Sequence, residues 1–411
     1  MARKSAFAKP EMSVRLAPDT RGFSTTDAEA PTLEQKVEFL SRSAAYLEPV
    51  ADVIRRETHM SWVFLAGDKV YKLKKPVRFS YLDFSTLERR KTACLAELSL
   101  NRRLAPNVYL DITPLTSTPR GLSIGGGGMI VDWLVVMQRL DESQTLEHAI
   151  LEDRVEPWQI DRLINTLAQF YRRATRVPLS PAAHLRDWQQ SRLYNRRVLL
   201  DPRFGLPAGL ITRVDSVQRR FLSSQRKLLA QRVQTRRIVD GHGDLRPEHI
   251  WLGDPVRIID CLEFNPRLRM VDPFDEIAFL SLECERLGAA WVGKYVQRRL
   301  ARVLRDGLTK ELFLFYRCHR ATLRARLAIA HLLEPDPRTP KKWPRLARAY
   351  LRLAAADATR IERRLKKRGG RQAIGLRAAG GSLRREAVRQ AGCRSCRAEV
   401  RVGAGKRALH R

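Results

Sequence analysis

Behind a Thr-x-x-Gln capping box, the stretch TLEQKVEFLSRSAAYL repeats Val37, Leu40, Ala44 and Leu47 at helical spacing, which predicts an opening helix over Thr32–Leu47. At Met60 the period changes. MSWVFLAGDKVYKLKK sets two β-rich runs around an Ala-Gly-Asp-Lys turn, the pattern of a hairpin. A helical stretch, Ser85–Leu104, comes next, followed by the strand-like runs NVYLDITPL, GLSI and MIVDWLVVMQRL. From Trp158 onward the apolar positions recur mostly at helical spacing, as in DRLINTLAQFYRRA and the long Ile211–Val233 segment. One stretch, 238–265, departs from that texture: IVDGHGDLRPEHIWLGDPVRIIDCLEFN places short apolar runs around a polar knot. The pattern predicts an α+β chain with two lobes. A small mixed lobe spans 31–140 and a larger, mainly helical lobe spans 141–365, joined near Gln138 to Asp141.

Length and charge narrow the classes. With 411 residues, 44% of them hydrophobic, the chain can bury more than one core and leave a cleft between them. No apolar run reaches the roughly 18 residues of a membrane span, and MARKSAFAKPEMS lacks an apolar signal core, so a soluble cytoplasmic protein is the expectation. The six cysteines are too scattered for a disulfide framework. Cys393 and Cys396 form one CxxC without a second ligand pair, which reads as no zinc site. The formal net charge of +33 is uneven, since residues 366–411 hold 14 Lys and Arg against Glu386 and Glu399. Rich in Gly, Ala and Arg, that basic tail reads as disordered, as do residues 1–30. A solvated segment is the plain reading of the tail; a weak nucleic-acid contact is the sharper one.

The polar knot carries two carboxylates with a recognisable spacing. Asp244 follows His242-Gly243 after a β-like run, and His-x-Asp-Leu with four further residues to position 249 parallels the H-R-D-L-x-x-x-N catalytic loop of protein kinases. Asp260 ends a second short strand, where those enzymes keep the aspartate that holds magnesium. One acid would accept the proton of a hydroxyl attacking a γ-phosphate, and the other would hold the metal. The strand-turn-strand between them can bring both to one end of a cleft.

HGDLRPEHIWL, IIDCLEFN and DPFDEIAFL, in that order, resemble the catalytic core of the aminoglycoside phosphotransferase family, small-molecule kinases with a protein-kinase-like fold. ETHMSWVFLAGDKVYKLKKP and YLDFSTLERR resemble the N-terminal part of a bacterial subgroup in which such a domain is often fused to a P-loop kinase-like domain; no G-x-x-x-x-G-K-[ST] occurs in this chain. The resemblance covers most of residues 31–335. It implies an enzyme that uses ATP and Mg2+ to phosphorylate a hydroxyl of a small-molecule acceptor, with Asp244 as proton acceptor and Asp260 as metal ligand beside His249. A kinase also needs a strand lysine oriented by a helix glutamate. Lys72 shares a strand face with Val70, as in V-A-I-K, and is the choice; Lys74, on the same face, is the alternative. Its partner is assigned to Glu97 in ELSLNRRLAP, with Glu88 as the alternative, while Met137 and Ser61 are assigned to the nucleotide. In the family the second acid of Asp272-Pro273-Phe274-Asp275 braces the catalytic loop, so Asp275 and the His242 ring are expected to be structural, and Asp272 an N-cap. Glu263 would either touch metal-bound water or be a plain surface carboxylate.

Two departures qualify the resemblance. His249 stands where the loop pattern has asparagine, and magnesium prefers oxygen to imidazole nitrogen. Either one metal suffices, or an oxygen such as that of Glu248 substitutes, or the chain is impaired. There is also no G-x-G-x-x-G loop: Gly125–Gly128 lies between two strand-like runs and reads as a hairpin tip, leaving ETHMS, with Thr58, His59 and Ser61, to cover the phosphates. A second class of function therefore stands beside the first, a kinase-like protein that binds nucleotide without turnover, or a basic module that binds nucleic acid through its tail. Helical spacing carries no code for the acceptor.

Overall fold

The computed structural model describes residues 30–79, 81–334, 337 and 339–367. The N-terminal 29 residues, and the basic tail from 368 with its Cys393 and Cys396, lie outside the described residues. Helix α1 (Leu33–Leu40) opens the lobe with the expected box: Thr32 Oγ1 accepts from the Gln35 N–H and Gln35 Oε1 accepts from the Thr32 N–H. It stops earlier than its apolar spacing predicts. Ser41 Oγ donates back to the Val37 carbonyl at 2.7 Å, and only a 3-10 turn, Ser43–Ala45, follows.

Strands β1 (Val53–Glu57), β2 (Ser61–Ala66) and β3 (Lys69–Lys74) come next, with β2 and β3 closing the predicted hairpin across Gly67, whose φ of +60° suits the turn. Short β4 (Arg78–Phe79) and β5 (Leu82–Asp83) lead to helix α2 (Leu87–Asn101), capped by Thr86. The strands β6 (Tyr109–Thr118), β7 (Gly121–Ile124) and β8 (Met129–Gln138) complete a six-stranded antiparallel sheet of order β1-β2-β3-β8-β6-β7. Gly125–Gly128 forms the tip between β7 and β8, as its setting implied.

Both helices of this lobe are tied to β8 through one buried acid. Arg90 Nε and Nη2 donate to the two oxygens of Asp132 at 2.8 and 3.1 Å, and Lys36 Nζ donates to Oδ2 at 3.0 Å. Lys36, Arg90 and Asp132 are all buried, so each charge depends on the others for its compensation.

The second lobe is built from α3 (Leu146–Leu151), α4 (Pro157–Arg173), α5 (Pro181–Leu199), α6 (Ala208–Ser224), α7 (Arg226–Gln234), α8 (Pro273–Arg286), α9 (Ala290–Val303), α10 (Lys310–Ala330) and a last helix over 342–367. The Ile211–Val233 segment, read as one helix, is two. Ser223 and Ser224 hydroxyls donate back to the Arg220 and Phe221 carbonyls, the chain breaks at Gln225, and α6 and α7 can then each pack against α5. The large core, including Phe221, Phe274, Phe315 and Tyr316, lies in this lobe, and α8 is buried continuously from Pro273 to Cys284. Between α7 and α8 run two small antiparallel pairs, β9 (Val239–Asp240) with β12 (Met270–Val271) and β10 (Ile250–Trp251) with β11 (Arg257–Ile258). The junction of the lobes is held by the Trp251 indole, which donates to the Asp141 carbonyl at 2.8 Å. Among the described residues no helix is long and apolar enough to cross a membrane.

Asp132→Ala strands two buried cations and is expected to cost about 3–5 kcal/mol of unfolding free energy. Urea unfolding measures it; a loss below about 1 kcal/mol would remove Asp132 as the anchor of α1 and α2.

Candidate active site

The lysines of β3 reach the same glutamate. Lys72 Nζ donates to Glu97 Oε1 at 2.8 Å and to Asp260 Oδ1 at 3.2 Å; Lys74 Nζ donates to Glu97 Oε2 at 2.6 Å and to Glu263 Oε1 at 2.5 Å. The primary choice and its alternative are therefore both engaged, Lys72 toward the cleft and Lys74 fully buried behind it. Glu97 is buried, whereas Glu88 sits in the first turn of α2, away from both lysines. Burial alone would lower the Lys72 pKa, but Glu97, then Asp260 and Glu263, hold it well above the ordinary lysine value. Lys72 in turn holds the Asp260 carboxyl well below the usual range. Glu263 is no surface carboxylate; its side chain is 8% exposed.

The two short hairpins place the acids. Asp244 lies just before a 3-10 turn, Pro247–His249, that enters β10, and Asp260 leaves β11, so antiparallel pairing returns Asp260 to the His249 end. His249 Nε2 lies 3.5 Å from Asp260 Oδ2, and its Nδ1 lies 3.8 Å from Asp244 Oδ2. A single imidazole separates the carboxylates. Asp260 takes a left-handed backbone conformation, φ +64°, which aspartate tolerates better than most residues. The next amide is fixed there, because the Cys261 N–H donates to Asn101 Oδ1 at 2.8 Å.

The loop before Asp244 is braced from α8, but not by the expected residue. Asp275 pairs instead with Arg320 of α10, at 2.9 and 2.6 Å. Its neighbour Glu276 accepts from the His242 N–H at 2.8 Å, from the Gly243 N–H, and from the Tyr171 hydroxyl at 2.8 Å. Burial pushes the Glu276 pKa up, while the Gly243 N–H and Tyr171 oppose that rise. Helical geometry explains the exchange: consecutive residues in the first turn of α8 point about 100° apart, so only one can face the loop. Arg103, also unassigned from sequence, donates to the Asp240 and Gly241 carbonyls at 3.0 and 2.8 Å. The His242 ring is bonded at both nitrogens: Nε2 donates to the Ile259 carbonyl at 2.9 Å and Nδ1 accepts from the Asp244 N–H at 3.2 Å.

His249 uses both of its nitrogens. Nδ1–H donates to the Asp244 carbonyl at 3.0 Å, and Nε2 accepts from Arg246 Nη2 at 3.1 Å. The imidazole expected beside the metal is thus a brace with no vacant lone pair, and the Glu248 substitute is turned onto Arg246 at 2.5 Å. Among the described residues no cluster of three or more His, Cys, Asp or Glu is arranged to hold a metal ion. Asp260, whose side chain is 46% exposed and whose Oδ2 is not bonded to Lys72, is a hard oxygen donor of the kind magnesium prefers. Asp244 feels burial, which would raise its pKa, but Arg246, His249 and Arg324 outweigh it and hold the carboxyl below the ordinary value.

Lys72 and Asp260 stand at one end of a cavity of about 410 Å³ whose walls include Val63, Val70, Met137, Trp251 and Ile259. Met137 and Ser61 both line it. The ETHMS turn is more closed than expected: Thr58 Oγ1 accepts from the Ser61 N–H and donates to the Ser61 carbonyl, both at 2.9 Å, so those groups are spent within the turn. His59 stacks on Phe79 with ring centroids 4.7 Å apart.

No family model matches the chain. It is 34% identical over 297 residues to uncharacterized proteins of Mycobacterium tuberculosis and Mycobacterium bovis, a match covering 71% of this chain and 57% of each of them. The chain therefore spans a little over half the length of these curated relatives. Solved structures with a similar chain course include a choline/ethanolamine kinase family protein from Mesorhizobium loti, 16% identical with a TM-score of 0.44, covering 79% of this chain and 99% of that one. Choline kinase from Streptococcus pneumoniae is 13% identical, with a TM-score of 0.45 and the same coverage, 79% and 99%. A thermostable aminoglycoside phosphotransferase mutant in ternary complex with AMP-PNP and hygromycin B is 11% identical, with a TM-score of 0.41, covering 79% and 99%.

Burial, with a further contribution from His249, lowers the His242 pKa to about 4, against about 6.5 for a free imidazole. Between those values the unfolded chain binds the proton that the fold refuses, so this residue's share of stability falls on acidification, by on the order of 3 kcal/mol in full. Comparing unfolding at pH 7 and 4.5, His242→Asn should lose about 2 kcal/mol less than the unsubstituted chain. Equal losses would mean that the ring is not held neutral by the loop.

Proposed function

We propose that the chain transfers the γ-phosphate of ATP to a hydroxyl of a small molecule. The observation that carries this reading is the Lys72 ammonium, suspended between Glu97 of α2 and Asp260 of the opposite lobe at the end of an apolar-walled cavity. The apolar walls suit a planar base, and the lysine suits phosphate oxygens. Asp260 is the residue that would hold a magnesium ion, which would supply positive charge to offset that of the phosphates. Lys72 binds and orients the phosphates, with Glu97 and the second lysine keeping it in place. Asp244 orients the acceptor hydroxyl and takes its proton as the new oxygen–phosphorus bond forms and the bond to the β-phosphate oxygen breaks. Being held below its ordinary pKa, Asp244 is ionised throughout the neutral range, so it acts mainly by aiming the hydroxyl.

A second reading, nucleotide binding without turnover, is favoured by one feature: His249, with both nitrogens bonded, replaces the oxygen that a second metal would need. Turnover separates the two readings.

Asp244→Asn should lower phosphate transfer at least about 100-fold while leaving the nucleotide Kd within a few-fold, since a proton acceptor acts in the transition state. A coupled ATP assay over a set of hydroxylated metabolites, with calorimetry for the nucleotide, reads both. Unchanged transfer would withdraw Asp244 from that role. Lys72→Ala should weaken ATP binding by roughly 10-fold or more, and Glu97→Gln by less, since the glutamate acts through the lysine. The reverse order would place the phosphates elsewhere.

A further inference from the structure

Helix α10 carries four arginines, and three of them have carboxylate partners. Arg317 pairs with Asp357, Arg320 with Asp275, and Arg324 lies 3.5 Å from Glu283. Arg326 differs. Its Nε donates to Asn195 Oδ1 of α5 at 2.8 Å and its guanidinium carbon lies 4.6 Å from the Tyr194 ring centroid. Among the described residues the groups that act on its charge are two phenols, Tyr194 and Tyr81, and burial pushes its pKa down.

Among the described residues, buried donors close to Arg326 are unpartnered. Asn195 is 2% exposed, spends its oxygen on Arg326, and leaves Nδ2 without a partner; Arg192 Nε and His319 Nδ1 are buried and unpartnered as well. Burial, aided by Arg320, Arg326 and Arg192, lowers the His319 pKa to about 3, so the ring adds no positive charge beside Arg326. A part-buried guanidinium with no counter-ion is unfavourable by itself, and its planar fork matches a carboxylate or a phosphate.

Position supplies the link to the reaction. Tyr81, within reach of the Arg326 charge, lies 5.8 Å between ring centroids from Phe264, and Phe264 lines the same cavity as Asp260 and Glu263. Glu334 also acts on Tyr81, but it is bonded to His331 Nδ1 at 2.6 Å. Arg326 is thus connected through Tyr81 and Phe264 to the lining of the cavity that holds Lys72 and Asp260.

We propose that Arg326, flanked by Tyr81 and Tyr194, binds a negatively charged group of the hydroxyl acceptor, a carboxylate or a phosphate; this specifies the substrate class within the phosphotransferase reading and rests on it. Charge-assisted, two-pronged hydrogen bonding would hold the anion while the rings cover it. A polycationic acceptor would meet like charge at the same place.

The test uses matched hydroxyl compounds on the full chain: glycerate and glycerol 3-phosphate as the two anionic probes, glycerol as the neutral one and choline as the cationic one. Calorimetry measures binding and phosphate incorporation from ATP is read separately, for the unsubstituted chain, Arg326→Gln and Arg326→Lys. At least one anionic probe is expected to bind about 10-fold more tightly than glycerol, with the carboxylate and phosphate arms telling which group is preferred. Arg326→Gln should erase the preference and Arg326→Lys retain part of it, both with the ATP Kd within about twofold. Equal binding of all probes, preference for glycerol or choline, or a preference that survives Arg326→Gln overturns the proposal. Anion binding that depends on Arg326 without phosphate incorporation leaves the anion site standing and overturns the phosphotransferase reading instead.

Discussion

Two ammonium groups and three carboxylates, Lys72 and Lys74 with Glu97, Asp260 and Glu263, meet between the lobes, and the rest of the cleft is arranged to keep that set complete. Taking any one of these charges out of water costs several kcal/mol unless an opposite charge lies at hydrogen-bond distance. Lys74 and Glu97 are fully buried, so neither can trade a partner for solvent. Because the lysines stand on β3, the glutamate on α2 and the other acids on the segment after β11, satisfying the charges sets where α2 lies and brings the loop of the helical lobe against the sheet. Asp260 is the exposed edge of this network, and its half-exposed carboxylate is where the network meets the cavity.

The Asp244 loop obeys a related constraint, that buried backbone groups need partners. Glu276 takes the His242 and Gly243 N–H groups, Arg103 takes the Asp240 and Gly241 carbonyls, and His242 joins the Asp244 amide to the Ile259 carbonyl. These bonds clamp the segments carrying Asp244 and Asp260 to each other, and His249 fills the space between their side chains. A loop held at so many points is organised before any ligand arrives, which suits a reaction that depends on position and electrostatics. The left-handed Asp260 fits the same pattern, since the Asn101 bond to the next amide holds a conformation the isolated chain would seldom populate.

Much of this arrangement could be read along the chain. The Thr32 box, the Gly67 hairpin, the β6 to β8 runs and the Asp272 cap are local signals, each decided by residues within a turn or two of one another. Candidate chemistry was legible where spacing encodes it: HGD, the strand-end Asp260, the face shared by Lys72 and Lys74, and Glu97 on the following helix. Local signals also misled where two of them competed. The apolar spacing carried the first helix through Leu47 and joined α6 to α7, but serine hydroxyls bonding back to carbonyls, at Ser41 and again at Ser223 and Ser224, ended or split those helices.

The sequence by itself determined the elements, their order and which residue types are available for chemistry, because those follow from neighbours a few positions apart. Only the tertiary structure decided the partners. That Glu276 rather than Asp275 braces the loop depends on which way one turn of α8 faces, and that His249 is a brace depends on Arg246 reaching its second nitrogen. Lys72 meets Glu97 across 25 positions and Asp260 across 188, and among the described residues Arg326 has no carboxylate partner where its neighbours on the same helix have one. A buried charge takes its partner from whatever shares its dry space, and that company is assembled by packing, over separations at which no pattern in the chain can specify it.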